Sequence, residues 1–392
     1  MIVGVLRESF QRERRVALVP TLVSTLVKAG AEVLVEAGAG AAAGFPDAEY
    51  EAKGARMVAR PDVFSRADVI LMVRTPGANP TAGAKDIAEL KDSQILIGFS
   101  EPLGAHNATK EIAGRGASLF AMELMPRITR AQSMDALSSM AMVTGYKAAL
   151  LAATELPRMF PMMMTAAGTI APSRVFVIGA GVAGLQAIAS SRRLGAKVEA
   201  YDVRPAVKEQ IESLGARFVE LPIENAGAED KSGYATAQDE AFYQKQRALL
   251  SRTVAASDVV ITTASVPGKR APVLIPADAV AGMASGSVII DLAAERGGNC
   301  ELTKPDEIVV TRGVTILGPT NLPSTVPYHA SQMYAKNITT FLLHLVKDGA
   351  VQFNLEDEIT RETLVTHKGE IVHPRVRELM DLATAASAGR AS

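Results

Sequence analysis

Residues 174–202 read RVFVIGAGVAGLQAIASSRRLGAKVEAYD, and this stretch decides how the chain is expected to fold. An apolar strand at 174–178 leads into the pattern G-x-G-x-x-G at 179–184, and a helical pattern follows to Leu194. A second apolar strand at 197–201 ends at Asp202. A strand, a glycine-rich turn, a helix and a strand in this order are typical of a Rossmann βαβ unit.

The three glycines of the turn each have a physical reason. Gly179 permits the tight turn, Gly181 lets the backbone approach a pyrophosphate, and Gly184 lets the helix pack closely on the strand. Phosphates would lie at the helix N-terminus, where free N–H groups and the helix dipole favour negative charge. The pattern alone is weak, but its flanking strands are present, so we predict a dinucleotide site here.

Asp202 predicts which dinucleotide this site takes. It lies about 20 residues after the turn, where a carboxylate can accept hydrogen bonds from the adenosine ribose hydroxyls. A 2′-phosphate would meet like charge there, so we expect NAD(H) to be preferred over NADP(H). Arg204 qualifies this preference, since a nearby arginine can accommodate a phosphate.

Short apolar runs alternate with helical patterns along most of the chain. This alternation predicts mainly parallel sheets with helices on both faces. Because two series of such runs are present, we predict an α/β fold with two Rossmann-like, doubly wound domains joined by long interdomain helices. The predicted strands are 2–5, 32–36, 69–73 and 94–99 in the first series, and 174–178, 197–201, 217–220, 259–262, 288–291 and 314–317 in the second.

Two long helical patterns, 133–160 and 329–346, are expected to join these domains. If the chain returns through the second helix, the first domain is discontinuous. We therefore predict an N-terminal α/β domain of residues 1–137 plus 328–380 and a Rossmann NAD(H)-binding domain of residues 138–327. Residues 381–392 are rich in Ala, Ser and Gly, and we predict a disordered tail there.

Composition excludes several classes of function. The 392 residues carry a formal net charge of -1, which argues against nucleic acid as a partner. The single cysteine, Cys300, rules out a disulfide framework. The five histidines lack metal-ligand spacing, so we expect no metal site. Charged residues and prolines interrupt the apolar stretch 142–171, so we expect no membrane span there.

A polar segment, 224–244, interrupts the rhythm of strands. It carries Gly227, Gly233 and several acidic residues. Long loops inside compact domains are usually functional or disordered. We interpret this one as a mobile lid, with a plain surface insertion as the alternative.

Four polar residues lie at the predicted start of the first long helix: Arg127, Gln132, Asp135 and Ser138. An arginine, an amide, a carboxylate and a hydroxyl could hold a nicotinamide carboxamide and its ribose. Their spacing fits a helix-capping cluster equally well, with Ser133 as the cap and Asp135 at the positive end of the helix dipole. The residues leave both interpretations open.

Other polar residues give weaker signals. Arg15 and Arg74 lie near the ends of predicted elements and are candidates for binding a carboxylate substrate, although surface arginines are common. No histidine has an obvious catalytic setting. Cys300 lies in a Gly-rich turn and is expected to be inert.

Four stretches together resemble the alanine dehydrogenase/transhydrogenase family. They are residues 1–20, which end in RVALVP, the turn at 179–184, DVRP at 202–205 and IDLA at 290–293. The resemblance covers nearly the whole chain. The family contains alanine dehydrogenases and the NAD(H)-binding alpha component of proton-translocating NAD(P) transhydrogenases.

Three features favour the transhydrogenase branch. PRITRAQSMD at 126–135 looks like the Arg-Gln-Asp nicotinamide loop of transhydrogenases, and KSGYA at 231–235 looks like the tip of their mobile loop. IGFSEP at 97–102 lacks the histidine that alanine dehydrogenase uses as acid and base, and Arg74 and Glu295 replace its lysine and aspartate. Loss of an imidazole that titrates near neutral pH removes the amination chemistry.

The resemblance implies that NADH bound here passes hydride directly to NADP+ on a separate domain. Such a transfer needs two oriented rings and no acid or base. Gln132 would position the nicotinamide for hydride transfer, and Tyr234 would close over the adenosine. The implied cofactor-binding residues are Arg127, Gln132, Asp135, Ser138, Gly179, Ala180, Gly181, Val182, Gly184, Asp202, Val203, Arg204, Gly233, Tyr234 and Ala264.

The resemblance also implies partners and a location. NADP(H) would bind a partner beta subunit, and a membrane-spanning component would couple hydride transfer to proton translocation. This chain would be a homodimer, cytoplasmic and peripheral on the cytoplasmic face of the inner (plasma) membrane. It would be active only together with those partner subunits.

Overall fold

A computed structural model describes residues 1–220, 240–265 and 270–388. The chain divides into two compact units. The terminal unit comprises Met1–Met140 and Pro323–Ser392, and the central unit comprises Ala141–Leu322. The terminal unit is therefore built from both ends of the chain.

The opening portion of the terminal unit alternates strands with helices. The strands are β1 (Ile2–Val5), β2 (Glu32–Glu36), β3 (Arg56–Val58), β4 (Val69–Arg74), β5 (Ile95–Phe99) and β6 (Ser118–Ala121). The helices are α1 (Pro20–Lys28), α2 (Asp47–Glu51), α3 (Arg60–Arg66), α4 (Gly83–Glu89) and α5 (His106–Gly114). Helix α6 (Ala136–Glu155) contains the boundary between the two units.

The central unit repeats this alternation after a short hairpin. Its strands are β7 (Met163–Thr165), β8 (Gly168–Ile170), β9 (Arg174–Ile178), β10 (Lys197–Tyr201), β11 (Arg217–Phe218), β12 (Val259–Thr262), β13 (Val288–Asp291), β14 (Ile308–Thr311) and β15 (Val314–Leu317). Its helices are α7 (Val182–Arg193), α8 (Lys208–Ser213), α9 (Glu240–Ala255) and α10 (Ala277–Ala281).

The chain then completes the terminal unit. These last elements are α11 (Pro327–Leu345), β16 (Val346–Lys347), β17 (Ala350–Val351), α12 (Glu358–Thr363), β18 (Leu364–His367), β19 (Glu370–Ile371) and α13 (Pro374–Ala388). Helix α13 thus includes residues from 381 to 388, for which we predicted disorder. Alanine-rich segments have high helix propensity, which the prediction from composition overlooked.

The sheet of the terminal unit has the order β19-β18-β6-β5-β4-β1-β2-β3 within the described residues. Strands β1 to β6 are parallel and follow the Rossmann order 3-2-1-4-5-6. Strand β18 is antiparallel to β6 and extends the sheet at that edge. The predicted doubly wound fold is confirmed for this unit.

The sheet of the central unit has the order β11-β10-β9-β12-β13-β15-β14 within the described residues. Its strands are parallel except β14, which is antiparallel to β15. The direction of winding changes between β9 and β12. In open sheets of this kind, ligands bind beyond the carboxyl ends of the strands at such a switch point.

Strand β9 shows why the strands of the central sheet were predictable from the sequence. Val175 and Val177 pack in one core cluster with residues of α6 and α7, including Ala152 and Ile188. Phe176 and Ile178 pack in a second cluster on the opposite face of the sheet, with residues of α9 and α10. Because helices cover both faces, the strand is a continuous apolar run.

Helix α6 differs from the predicted helix at 133–160. It begins at Ala136, after a 3₁₀ helix at Thr129–Met134, and it ends at Glu155, shortly before Pro157 disfavours further helix. Among the described residues, α6 is the single helix that is both long enough and apolar enough to cross a membrane, judged by length and composition alone. The prediction concerned only residues from 142 onward, whereas this helix begins at Ala136. An apolar helix buried inside a folded protein passes the same test.

Candidate functional site

The glycine turn lies at the carboxyl end of β9, at the switch point of the central sheet. Gly179 has a φ of +96°, in the region that favours glycine, and a Cβ there would lie 2.5 Å from Thr263 Oγ1. A Cβ at Gly184 would lie 1.9 Å from the carbonyl oxygen of Gly179. A side chain at either position would therefore clash with neighbouring atoms of the turn, so the fold of the turn requires glycine at both positions. Thr263 holds the turn by donating a hydrogen bond to Gly179 O at 3.0 Å.

Gly181 has a different environment. A Cβ built on it would meet nothing within 4 Å, so the fold does not explain why glycine stands there. Gly181 is the N-cap of α7, and among the described residues no side chain caps this helix end. The first N–H groups of α7 therefore lack a side-chain cap at this end, and free N–H groups beside open space are the features that phosphate sites at helix N-termini use.

Asp202 follows β10 and connects it to the glycine turn. Its side chain is buried, and Oδ2 accepts a hydrogen bond from Ala180 N at 2.6 Å. Oδ1 accepts a hydrogen bond from Arg204 N at 2.9 Å. The Arg204 guanidinium also binds this carboxylate, from Nε to Oδ1 and from one terminal nitrogen to Oδ2, both at 2.9 Å. Asp202, Arg204 and the turn therefore form one cluster, with half-buried Val203 between the two charged residues.

Ala264 follows β12, and the side chain of Asn299 holds it in place. Ala264 N donates to Asn299 Oδ1 at 3.0 Å, and Asn299 Nδ2 donates to the carbonyl oxygens of Ala264 and Pro272, both at 2.8 Å. Asn299 is not among the predicted site residues, because its partners lie 35 and 27 residues away in the sequence.

Asp291 supports the loop that carries Asn299. This fully buried carboxylate accepts hydrogen bonds from Asn299 N at 2.8 Å and from Cys300 N at 2.9 Å. Further donors are the Thr262 and Thr303 hydroxyls, at 2.9 and 2.7 Å. Burial raises the pKa of the Cys300 thiol to about 11, so the thiol stays protonated at neutral pH and is a poor nucleophile.

In the terminal unit, the 127–138 segment contains the 3₁₀ helix at Thr129–Met134 and leads into the first residues of α6. Asp135 Oδ1 accepts a hydrogen bond from Ser138 N at 2.8 Å, and Oδ2 accepts one from the Ser138 hydroxyl at 2.5 Å. Asp135 is therefore the cap, and Ser133 is not, because the helix begins at Ala136. Arg127 and Gln132 are exposed.

Two contacts from later segments of the terminal unit anchor this segment. Asn337 of α11 donates from Nδ2 to Ser133 O at 2.9 Å. Arg130 binds Asp357 Oδ1 at 2.6 Å, and His344 Nε2 lies 2.9 Å from Asp357 Oδ2. Burial opposes ionisation of Asp357, yet its hydrogen bonds hold the pKa of that carboxyl well below its usual range. Asp357 is thus ionised at neutral pH, and it forms an ion pair with Arg130.

The two arginines considered as binders of a carboxylate substrate meet at one glutamate. Buried Arg15 binds both carboxylate oxygens of Glu13, at 2.7 and 2.6 Å, and Arg74 Nε lies 3.3 Å from Glu13 Oε2. Glu8 accepts hydrogen bonds from the N–H groups of Val73 and Arg74. Burial and the nearby Glu13 raise the pKa of Glu8 to about 8. One internal carboxylate, that of Glu13, therefore faces both guanidinium groups.

The predicted site residues thus fall into two groups, one in each unit. The glycine turn, Asp202 and Ala264 lie at the carboxyl edge of the central sheet, and the 127–138 segment belongs to the terminal unit. Gly233 and Tyr234 lie outside the described residues, as does most of the segment interpreted as a lid, whose last residues, 240–244, begin α9. No cluster of three or more His, Cys, Asp or Glu suited to a metal ion occurs in the described part of the chain.

Two Rossmann-like units, one with a G-x-G-x-x-G turn bonded to an acidic residue after the next strand, define the class of two-domain, nucleotide-binding dehydrogenase folds. Comparison with known families makes the assignment narrower. Models of the alanine dehydrogenase/PNT N-terminal and C-terminal domains match residues 4–144 and 148–374. The chain belongs to this family and, within it, to the NAD(P) transhydrogenase alpha subunits.

Individual relatives support this placement. The first portion of NAD(P) transhydrogenase subunit alpha from Rhodospirillum rubrum is 46% identical over 95% of this chain and 98% of its own length. The crystal structure of a transhydrogenase from Sinorhizobium meliloti matches with a TM-score of 0.85 at 45% identity, over 95% of this chain and 100% of that one. The alanine dehydrogenase of Halomonas elongata is 30% identical over 97% of both chains.

Proposed function

We propose that this chain is the NAD(H)-binding subunit of a proton-translocating transhydrogenase. In this role it exchanges hydride between NAD(H) and NADP(H), which is held on a partner domain. The observation that carries the proposal is the Asp202 carboxylate, bonded to the glycine turn beside the uncapped N-terminus of α7. The near full-length identity to transhydrogenase alpha subunits supports it.

The adenosine half of NAD(H) suits the cluster in the central unit. The N–H groups of α7 would bind the pyrophosphate, and the open space at Gly181 admits it. Asp202 would accept hydrogen bonds from the ribose hydroxyls. A 2′-phosphate would add two negative charges near this buried carboxylate, so NADP(H) should bind less well.

The nicotinamide half is assigned to the 127–138 segment. Arg127 and Gln132 are exposed and offer a guanidinium and an amide, while Asp135 and Ser138 present a hydrogen-bonded pair. We assign Gln132 the task of orienting the nicotinamide and the other three residues that of holding NADH. Anchoring of the segment by Asn337 and Asp357 would keep this arrangement rigid.

The chemistry needs no acid or base from this chain. Hydride passes from one nicotinamide ring to another, and the protein contributes proximity and orientation. The carboxyl end of β5 carries Ser100 and Glu101 and no histidine. Ser100 Oγ instead accepts a hydrogen bond from Thr75 Oγ1 at 2.9 Å, within the buried interior.

An alanine dehydrogenase is the second candidate, since the family includes that activity. The pairing of Arg15 and Arg74 with Glu13 argues against alanine dehydrogenase activity, because a substrate carboxylate would have to compete with the Glu13 carboxylate for these arginines. A binding module that regulates a partner without transferring hydride is the third candidate. No observation on the described residues favours the alanine dehydrogenase or the regulatory module over a subunit that transfers hydride.

We also propose domain boundaries, an oligomeric state, a location and partners for this chain. We assign the terminal unit to the predicted domain of residues 1–137 plus 328–380, and the central unit to the NAD(H)-binding domain. The chain would act as a homodimer on the cytoplasmic face of the inner (plasma) membrane. Its partners would be a membrane-spanning component and an NADP(H)-binding beta subunit. The relatives are named as alpha subunits or as portions of one, which supports the need for other subunits.

A reconstitution experiment tests the proposal. The purified chain is mixed with NADH and an NADP+-loaded partner component, and NADPH formation is followed. We expect NADPH only when both components are present. A parallel reaction contains the chain alone with NAD+ and alanine. Reduction of NAD+ there would establish the dehydrogenase instead, whereas NADH binding without transfer to the partner would favour the regulatory module.

A further inference from the structure

The Asp202 carboxylate already has a full set of hydrogen-bond donors. Oδ1 accepts from Arg204 N and Arg204 Nε, and Oδ2 accepts from Ala180 N and a terminal nitrogen of Arg204. The four distances lie between 2.6 and 2.9 Å. A carboxylate offers about four lone-pair positions, two on each oxygen. Ribose hydroxyls that bind this carboxylate must therefore replace a donor.

The four donors differ in how easily they can leave. Ala180 N belongs to the glycine turn and Arg204 N to the backbone after β10, so neither can move without distorting the fold. The other two donors are on the Arg204 guanidinium, at the end of a flexible side chain. Arg204 is therefore the group that a ribose would displace.

We infer that the Arg204 side chain occupies the ribose-hydroxyl positions on Asp202 until a nucleotide displaces it, and that this competition weakens the preference for NADH over NADPH. The inference rests on the proposed function. Displacement breaks a two-point ion pair whose side chains are only 12% and 5% exposed, which weakens NADH binding. The displaced guanidinium keeps its charge nearby, where a 2′-phosphate would pair with it. Arg204 thus lowers affinity for NADH and raises affinity for NADPH.

The two nucleotides provide the test, because they differ only in the 2′-phosphate. In Arg204→Met the long side chain remains, but the charge and donors are lost. Titration of the full chain should show NADH binding about fivefold more tightly, as loss of a competing ion pair implies. NADPH should bind about tenfold more weakly, as loss of a charge-assisted phosphate contact implies. Arg204→Lys keeps the charge without the two-point geometry and should lie between wild type and Arg204→Met for both nucleotides.

Arg217→Met is the matched control. Arg217 also pairs with an acidic residue of β10, binding Glu199 Oε1 at 2.6 Å, but its side chain is 70% exposed and, among the described residues, the hydrogen bonds of this pair do not include the glycine turn. Neither nucleotide's affinity should change. The inference is wrong if Arg204→Met changes both affinities in the same direction, or leaves NADH affinity unaltered. If Arg204→Met does not fold, unchanged affinities in Arg204→Lys would overturn the inference. A wild-type chain that binds no NADH would instead refute the proposed function.

Discussion

Asp135 and Ser138 are joined by two hydrogen bonds, from Ser138 N to Oδ1 at 2.8 Å and from the Ser138 hydroxyl to Oδ2 at 2.5 Å. The sequence left open whether these residues cap a helix or bind a ligand. The geometry shows the cap, and the exposed neighbours Arg127 and Gln132 leave room for a ligand role as well. One short motif can thus begin a helix and present polar groups beside it.

Replacing Asp135 should therefore affect stability as well as ligand binding. Asp135→Ala removes the cap of α6 and should lower the free energy of unfolding by about 1 kcal/mol, measured by urea denaturation. Asp135→Asn keeps an N-cap acceptor and should recover most of that loss. NADH affinity should fall in both variants, because both lose the carboxylate. Full NADH affinity in Asp135→Asn would remove this residue from the proposed site.

Two glycines of the turn should respond to alanine in different ways. Gly184→Ala places a methyl group against the Gly179 carbonyl and should destabilise the protein by more than about 2 kcal/mol. Gly181→Ala meets open space, so its melting temperature should match that of wild type. Its NADH affinity should nevertheless drop at least about tenfold, since the methyl group lies where the pyrophosphate approaches. Tight NADH binding by Gly181→Ala would place the phosphates elsewhere.

Gln132 should matter for transfer more than for binding. Gln132→Ala removes an exposed amide from the 3₁₀ helix and breaks none of the hydrogen bonds described for the fold. We expect hydride transfer to the partner's NADP+ to slow at least about a hundredfold, because misorientation of the ring is costly. NADH affinity should fall less than about fivefold. Losses of equal size in rate and affinity would mean that Gln132 only binds the nucleotide.

The buried carboxyl of Glu123 predicts a pH dependence of stability. Oε1 accepts hydrogen bonds from Ser100 N and Glu101 N, while Oε2 is buried without a partner among the described residues. Burial, with a smaller contribution from Glu101, raises its pKa to about 7 from an ordinary 4.5. Between these pH values the folded state holds a proton that the unfolded chain has lost. Stability should therefore fall as pH rises from about 4.5 to 7, by at most about 1.4 kcal/mol per pH unit.

Glu123→Gln tests this dependence, because glutamine resembles the protonated carboxyl. Urea denaturation at several pH values should show a shallower slope in the variant. Some slope remains, since the pKa of Glu8 is also raised, to about 8. The exposed residue Glu51, changed to Gln, is the control and should keep the wild-type slope. An identical slope in Glu123→Gln and wild type would show that Glu123 is ionised in the folded state.

The central sheet was largely predictable because helices cover both of its faces. Strands such as β9 and β13 are therefore short apolar runs that contrast with their surroundings. Strand β14 was missed. It lies at the sheet edge with Ile308 and Val310 more than 60% exposed, so burial does not explain its apolar residues. Strand β18 was missed as well, because it pairs antiparallel with β6 far away in sequence.

Some residues of the candidate site were predictable from the sequence and others were not. Gly179 and Asp202 are neighbours through one βαβ unit, so spacing alone places them together. Asn299 acts on Ala264 through a loop held by Asp291, and no local pattern indicates a contact between residues so far apart. Arg204 was recognised as a possible phosphate binder, but its ion pair with Asp202 depends on side-chain positions that a sequence does not contain.

An isotope experiment distinguishes direct hydride transfer between the two nucleotides from transfer through an intermediate. NADH carrying deuterium at the transferred position is mixed with this chain and an NADP+-loaded partner component in ordinary water. We expect deuterium in the NADPH formed, with none lost to solvent, because the two nicotinamide rings exchange hydride without an intermediate. Unlabelled NADPH, or no NADPH while NADH stays tightly bound, would contradict direct hydride transfer.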